Sequence, residues 1–195
     1  EEWLVKGGSV GRPLGHMEVI VVGEDDQPVA PGGAGTLYFR SALGSDFEYH
    51  NDPEKTAAAH REPGVFTTGD IGYIDDDGYL YLVDRKKDMI DSGGVKVYPK
   101  DIEEIAARHP AILEVAVFGI PHDKWGETPV AAVVLKAGAN VDAATLRDWI
   151  NAHVAAKFQR VDRVLILDEF PRNAAGKTLK RELRAPYWEG RATRI

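Results

Sequence analysis

The sequence lacks cysteine altogether, and it also lacks a hydrophobic run long enough to cross a membrane. The first absence excludes disulfide bonds, thiolate zinc sites and cysteine nucleophiles. It fits a reducing compartment, and we expect a cytoplasmic location. The longest hydrophobic runs, residues 115–120 and 130–135, have the length of strands and fall well short of the roughly 18 residues of a membrane span.

An excess of positive charge is missing as well. The 195 residues include 24 lysines and arginines against 31 aspartates and glutamates, which gives a net charge of −7. Proteins that bind nucleic acids usually present a positive field, so this balance argues against a nucleic-acid partner. The basic run at residues 177–184 lacks interleaved aromatic residues, so it is a poor candidate for a nucleic-acid-binding segment. A hydrophobic share of 44% excludes a disordered chain.

The first part of the chain is rich in predicted strands. Its β-branched and aromatic runs are separated by turn residues such as Asp76-Asp77-Gly78, which predict a hairpin. One short helix is expected at 52–60, where Pro53 suits the first helical position. The predicted strands are 17–22, 36–40, 72–75 and 79–83.

The second part alternates predicted helices and strands. Asp142 can cap a helix that runs to about residue 157, with Leu146, Trp149, Ile150 and Val154 on one face. Further helices are predicted at 101–109 and from 178 onwards, and strands at 113–119, 130–136 and 161–167.

The change from a strand-rich first part to a second part of alternating helices and strands predicts an α+β fold with two domains. The charged patch at 84–88 is the best boundary, so residues 1–84 form a β-rich domain end and residues 85–195 a small α+β domain. The opening Glu-Glu-Trp suggests that the chain is an excised piece of a longer protein.

Taken singly, the motifs favour ordinary structural roles. Gly176-Lys177-Thr178 is no phosphate-binding P-loop, because Pro171 stands where that pattern needs its first glycine. Asp75-Asp76-Asp77-Gly78 lacks the later ligands of a calcium loop, and the six histidines show no metal-ligand spacing, so no metal site is expected. Asp70 in Thr68-Gly69-Asp70 could accept hydrogen bonds from a diol such as ribose, or be a turn residue.

The order of these motifs resembles the C-terminal part of the ANL superfamily, which comprises acyl-CoA synthetases, peptide-synthetase adenylation domains and luciferases. The similarity extends over nearly the whole chain. It is carried by Gly8-Ser9-Val10-Gly11-Arg12-Pro13-Leu14, the run 47–56, Thr68-Gly69-Asp70, the run 77–90, Ser92-Gly93-Gly94, Tyr98-Pro99, Ile102-Glu103 and the loop 171–177.

The resemblance implies roles for individual residues. Lys177 matches the family's C-terminal catalytic lysine, and Asp70 and Arg85 match its ATP- and AMP-binding residues. Lys87 matches the hinge residue within a hinge at 85–88, about which the small domain rotates between half-reactions. The positions matching its CoA-binding surface are Gly93, Gly94, Trp125, Phe158 and Arg160, although Trp125 and Phe158 could equally be core residues.

Two positions depart from the family pattern near the CoA channel. Asp91 replaces the usual hydrophobic or lysine residue before Ser92-Gly93-Gly94, and Val161 stands where many relatives have proline.

The resemblance therefore implies an ATP-dependent acyl-CoA synthetase that converts a fatty or aromatic carboxylic acid to acyl-AMP and then to acyl-CoA, with ATP, CoA and Mg²⁺. The family's phosphate loop and acyl pocket would lie upstream of Glu1, so we expect the isolated chain to be inactive. The alternatives are an adenylation domain that serves a carrier protein and a non-catalytic interaction module. Joint retention of Asp70, Arg85 and Lys177 argues against the last.

Overall fold

The computed structural model describes residues 5–190. The chain divides into two compact units, with the division between Lys87 and Asp88. We call residues 1–87 unit 1 and residues 88–195 unit 2. Their interpretation as the end of a large domain and a complete small domain stays a prediction. Within residues 5–190, no helix is long and apolar enough to span a membrane.

Unit 1 is built on a seven-stranded sheet. Its strands are β1 Ser9–Gly11, β2 Met17–Val22, β3 Gly35–Ser41, β4 His60–Glu62, β5 Val65–Phe66, β6 Asp70–Ile74 and β7 Leu80–Arg85. Their order is β1-β7-β6-β3-β5-β4, and β2 pairs with β3. Three residues of these strands, Val21, Leu37 and Leu80, form a buried core cluster.

Short-range hydrogen bonds from aspartate side chains stabilise the hairpin and the helix that the sequence predicts in unit 1. The Asp75 carboxylate accepts the Tyr79 N–H at 2.8 Å within the turn that joins β6 to β7, and the predicted hairpin is confirmed. Helix α1, Pro53–Ala59, has Pro53 in its first turn, and the Asp52 carboxylate accepts the Lys55 N–H at 3.0 Å.

Unit 2 contains a five-stranded sheet and three helices. The strands are β8 Ile90–Ser92, β9 Val95–Val97, β10 Ile112–His122, β11 Gly126–Leu135 and β12 Val164–Leu167. Their order is β10-β11-β8-β9, and β12 pairs in parallel with β11. The helices are α2 Pro99–Ala106, α3 Ala143–His153 and α4 Lys180–Trp188, and a 3₁₀ turn covers Lys157–Gln159. The α+β class predicted from the sequence is confirmed.

Both faces of the unit 2 sheet are buried. On one face, α2 and α3 contribute Ile102 and Leu146 to a cluster that includes Val117. On the other face, Leu183 of α4 packs against a cluster that includes Phe118. Because successive strand residues point to opposite faces, two buried faces require continuous apolar runs such as 115–120 and 130–135.

Several predicted boundaries in unit 2 are wrong: the helix expected at 101–109 ends at Ala106, and the structure shows the cause of three further differences. The helix expected to reach residue 157 ends at His153, because Val154 is extended. The strand expected from Val161 begins at Val164, since the Asn151 side chain bonds both the N–H and the C=O of Val161. The last helix, expected from residue 178, starts at Lys180, because Thr178 forms an isolated β-bridge with Arg172.

Candidate functional site

The β6–β7 hairpin brings Asp70 and Arg85 face to face. They are register partners, and Arg85 Nε lies 2.8 Å from Asp70 Oδ1. The Thr68 hydroxyl donates to Asp70 Oδ2 at 2.6 Å. The Asp70 side chain is 20% exposed and that of Arg85 is 49% exposed. Each carboxylate oxygen has a further lone pair, so Asp70 is held in one orientation and can still accept from a diol.

The turn before Asp70 is tied to the segment where the two units divide. Gly69 has a positive φ of 80° and donates its N–H to Thr67 Oγ1 at 3.0 Å. Its carbonyl accepts the Lys86 N–H at 2.8 Å. Lys87 is the last residue of unit 1. The roles of Thr67 and Thr68 were missed from the sequence, although threonines before an aspartate are a known turn signal.

In unit 2, Gly93 and Gly94 form the two-residue turn between β8 and β9. Their φ values are +64° and +84°, a conformation that glycine adopts without steric cost. The Asp91 carboxylate closes this turn by accepting the Gly94 N–H at 2.8 Å, and it forms an ion pair with Lys96 at 2.6 Å. The Lys96 bond, and then the Gly94 bond, lower the pKa of Asp91. This explains why an aspartate can stand here despite the family pattern.

Trp125 packs directly against that glycine turn. The Gly93 N–H donates to the Trp125 carbonyl at 2.7 Å, and a Cβ on Gly93 would lie 2.8 Å from the indole Cε3. Trp125 as a whole residue is 46% exposed. The alternative that Trp125 is a core residue is therefore wrong, and Gly93, Gly94 and Trp125 form one exposed surface.

Phe158 and Arg160 lie on a different segment, the 3₁₀ turn and its exit. Phe158 is 41% exposed, so it is not a core residue either. Arg160 borders an open depression of about 470 Å³ together with Arg147 and Asn151 of α3. Asn151 Oδ1 accepts the Val161 N–H at 2.8 Å, a bond that proline could not make. The departure from proline at Val161 thus has a structural use.

The backbone of the loop that carries Lys177 is tightly closed. Arg172 and Thr178 form an isolated β-bridge, and the Asn173 N–H donates to the Lys177 carbonyl at 3.0 Å. The Asn173 side-chain oxygen accepts the N–H groups of Ala175 at 3.0 Å and of Lys177 at 2.9 Å. Asn173, whose role was not predicted from the sequence, makes these three hydrogen bonds, which help to close the loop.

Arg172 anchors the loop to the sheet. Its Nη1 donates to the Gly176 carbonyl at 2.9 Å, and its Nη2 forms an ion pair with Glu114 of β10. The Lys177 side chain is exposed, and within residues 5–190 its ammonium group has no hydrogen-bond or ion-pair partner. A fixed backbone therefore presents a cation that is available to a ligand.

The described residues offer no group of three or more histidines, aspartates and glutamates that could hold a metal ion.

Comparison with known proteins relates this geometry to a family. Residues 101–177 match the family model of the AMP-binding enzyme C-terminal domain. The chain is 43% identical over 181 residues to 2-succinylbenzoate–CoA ligase of Geobacillus kaustophilus, covering 93% of this chain and 36% of the relative. It is 42% identical over 188 residues to the long-chain-fatty-acid–CoA ligase FadD13 of Mycobacterium tuberculosis, covering 96% and 36%.

A solved structure is similar across the whole chain. It is o-succinylbenzoate CoA synthetase (MenE) from Bacillus subtilis in complex with the acyl-adenylate intermediate OSB-AMP, with a TM-score of 0.81 and 32% identity. The match covers 100% of this chain and 38% of that one. The chain thus spans about a third of the length of the relatives it matches. It belongs to the ANL superfamily of adenylate-forming enzymes, whose AMP-binding C-terminal domain it contains.

Proposed function

We propose that this chain is the C-terminal part of an ATP-dependent acyl-CoA synthetase. The full-length enzyme joins a fatty or aromatic carboxylic acid to AMP, with release of pyrophosphate, and then transfers the acyl group to the thiol of CoA. The observation that carries the proposal is the Lys177 loop, in which several bonds fix the backbone and leave the ammonium group exposed. The cytoplasmic location expected from the cysteine-free composition belongs to the same proposal.

The first half-reaction needs a positioned cation. When a carboxylate attacks the α-phosphate of ATP, negative charge builds on oxygens that are already charged, and a fixed cation stabilises it without reorganisation. Lys177 supplies that cation in our proposal. Asp70 accepts the ribose hydroxyls in this proposal, and Arg85, whose Nε lies 2.8 Å from Asp70 Oδ1 and whose side chain is 49% exposed, donates to the phosphates.

The second half-reaction needs a path for the pantetheine arm of CoA. The exposed turn of Gly93 and Gly94 beside Trp125 offers bare backbone next to an aromatic face, which suits a thin flexible chain. Phe158 and Arg160 are proposed to contact the rest of CoA. Lys87, at the division between the two units, is the proposed hinge. In our proposal, rotation about this hinge moves Lys177 away from the reacting groups and brings the surface of Gly93, Gly94 and Trp125 to them.

The test is to express the full-length protein that contains this chain and supply ATP, CoA and a panel of fatty and aromatic acids. We expect acid-dependent release of pyrophosphate and formation of an acyl-CoA, whereas the isolated chain stays at background in the same assay. Transfer to a phosphopantetheinylated carrier protein in preference to CoA would favour the adenylation-domain alternative. Absence of acid-dependent pyrophosphate release with every acid would favour the non-catalytic module.

A further inference from the structure

An open groove of about 480 Å³ lies within unit 1, which is in the range of small-molecule sites. Its walls are β3, α1, the loop before β6 and the end of β7. The residues that line it are Thr36, Tyr38, Tyr49, Lys55, Ala58, Ala59, Thr67, Thr68, Gly69, Arg85, Lys86 and Lys87.

The charge of this lining is opposite to that of the chain. Four lining residues are cationic and none carries a carboxylate, although the chain as a whole has a net charge of −7. One of the four, Arg85, forms an ion pair with Asp70, which is not a lining residue. Within the described part of the chain, neither the Lys55 nor the Lys86 ammonium group has a carboxylate partner. Lys55 Nζ lies 3.9 Å from the centre of the Tyr49 ring, which holds it over the groove wall. Like charges gathered at one place repel one another unless an anion binds between them.

The groove also presents uncharged donors. Thr67 Oγ1 accepts the Gly69 N–H, which leaves its hydroxyl hydrogen free to donate to a ligand. The Thr68 hydroxyl is used differently, because it donates to Asp70. Two ammonium groups and a hydroxyl donor that line the same groove suit an acceptor-only ligand with several oxygens, and phosphate is the common biological example.

We propose that this groove binds a phosphate group, with Lys55, Lys86 and the Thr67 hydroxyl as its donors. The groove is larger than one phosphate, so the ligand is a phosphorylated molecule. That this molecule is a nucleotide rests on the proposed function, which offers the polyphosphate of ATP and the 3′-phosphate of CoA as sources.

Calorimetric titration of the 195-residue chain tests the shared chemistry with pyrophosphate as the probe. We expect one site that weakens about tenfold in Lys55→Gln and in Lys86→Gln, because each substitution removes one charge-assisted bond. Lys136→Gln is the matched control, since Lys136 is exposed, lies on unit 2 and makes the same change of charge. Its affinity should equal that of the wild type, and circular dichroism checks that all variants fold.

The same titrations with CoA, dephospho-CoA and ATP identify the source. A preference for CoA over dephospho-CoA that Lys55→Gln removes assigns the 3′-phosphate. A weaker affinity for ATP in that variant, with CoA and dephospho-CoA binding alike, assigns the polyphosphate. Absence of pyrophosphate binding, unchanged binding in both groove variants, or equal weakening by Lys55→Gln and Lys136→Gln would overturn the proposal. Binding needs no turnover, so this result and the ligase activity can fail independently.

Discussion

Asn173→Ala should slow adenylation although Asn173 itself is not proposed to touch a substrate. Its side-chain oxygen accepts two backbone N–H groups, one of them that of Lys177 at 2.9 Å. Alanine removes both bonds, each with a net value of about 0.5–1.5 kcal/mol. The Asn173 N–H bond to the Lys177 carbonyl remains, so the loop is loosened rather than lost.

The expected size follows from that difference. Because the freed N–H groups are exposed to water, the lower half of the range applies, and ordering of the loop is weakened by about 1–2 kcal/mol. If the whole of this cost is added to the activation free energy, because Lys177 must be ordered to react, adenylation slows about 5- to 30-fold. About 1.4 kcal/mol is a factor of ten in rate. Asn173→Asp keeps the acceptor oxygen and is the conservative control, which should stay closer to the wild-type rate.

The assay is pyrophosphate exchange by the full-length enzyme, with thioester formation from supplied acyl-AMP measured separately. Only the first rate should fall, and its kcat should fall more than its KM for ATP rises. In the double variant Asn173→Ala/Lys177→Ala, adenylation should be no slower than in Lys177→Ala alone, because Asn173 acts through Lys177. Additive losses, or an adenylation rate unchanged by Asn173→Ala, would refute the reasoning.

Three further outcomes follow from the structure. The bonds of His60 to Asp46 at 2.6 Å and to a backbone carbonyl raise the pKa of His60, so its stabilising effect is present below pH about 6.5 and is lost as pH rises through the raised value. The thermal midpoint of the wild type should therefore fall between pH 6 and 9 more than that of His60→Gln, and parallel curves would contradict this. Denaturant titrations should show that Gly93→Ala destabilises unit 2 by about 2 kcal/mol and Gly94→Ala by about 1 kcal/mol. Both glycines have a positive φ, but only at Gly93 would the new Cβ clash with the Trp125 indole. Equal losses of stability would count against the indole contact. Lys87→Pro should leave adenylation within a few-fold and abolish transfer to CoA, because proline fixes φ at the proposed hinge; the reverse pattern would reject Lys87 as the hinge.

Elements with local signals could be predicted from the sequence. Asp52 and Pro53 mark the start of α1, Asp142 caps α3, and the Asp-Asp-Gly turn marks the β6–β7 hairpin, because each signal acts within a few residues. The start of β12 at Val164 was missed, since it depends on side-chain bonds between Asn151 and Val161, which lie ten residues apart along the chain.

The candidate site divides in the same way. The family motifs locate Asp70, Arg85 and Lys177, and the structure adds the groups that hold them. Thr68 and Asn173 act within a turn and could have been recognised as hydrogen-bonding turn residues. The pairing of Arg172 with Glu114 spans 58 positions, and no local pattern reveals it.

The most direct test of the account is to measure both half-reactions in the full-length enzyme carrying Lys177→Ala, with Lys136→Ala as the matched exposed control. The account predicts that Lys177→Ala slows adenylation by on the order of 100-fold or more, as for loss of one preorganised charge-stabilising group, while thioester formation from supplied acyl-AMP and both rates of Lys136→Ala stay unchanged. An equal loss in both half-reactions, or an adenylation rate unaffected by Lys177→Ala, would contradict it.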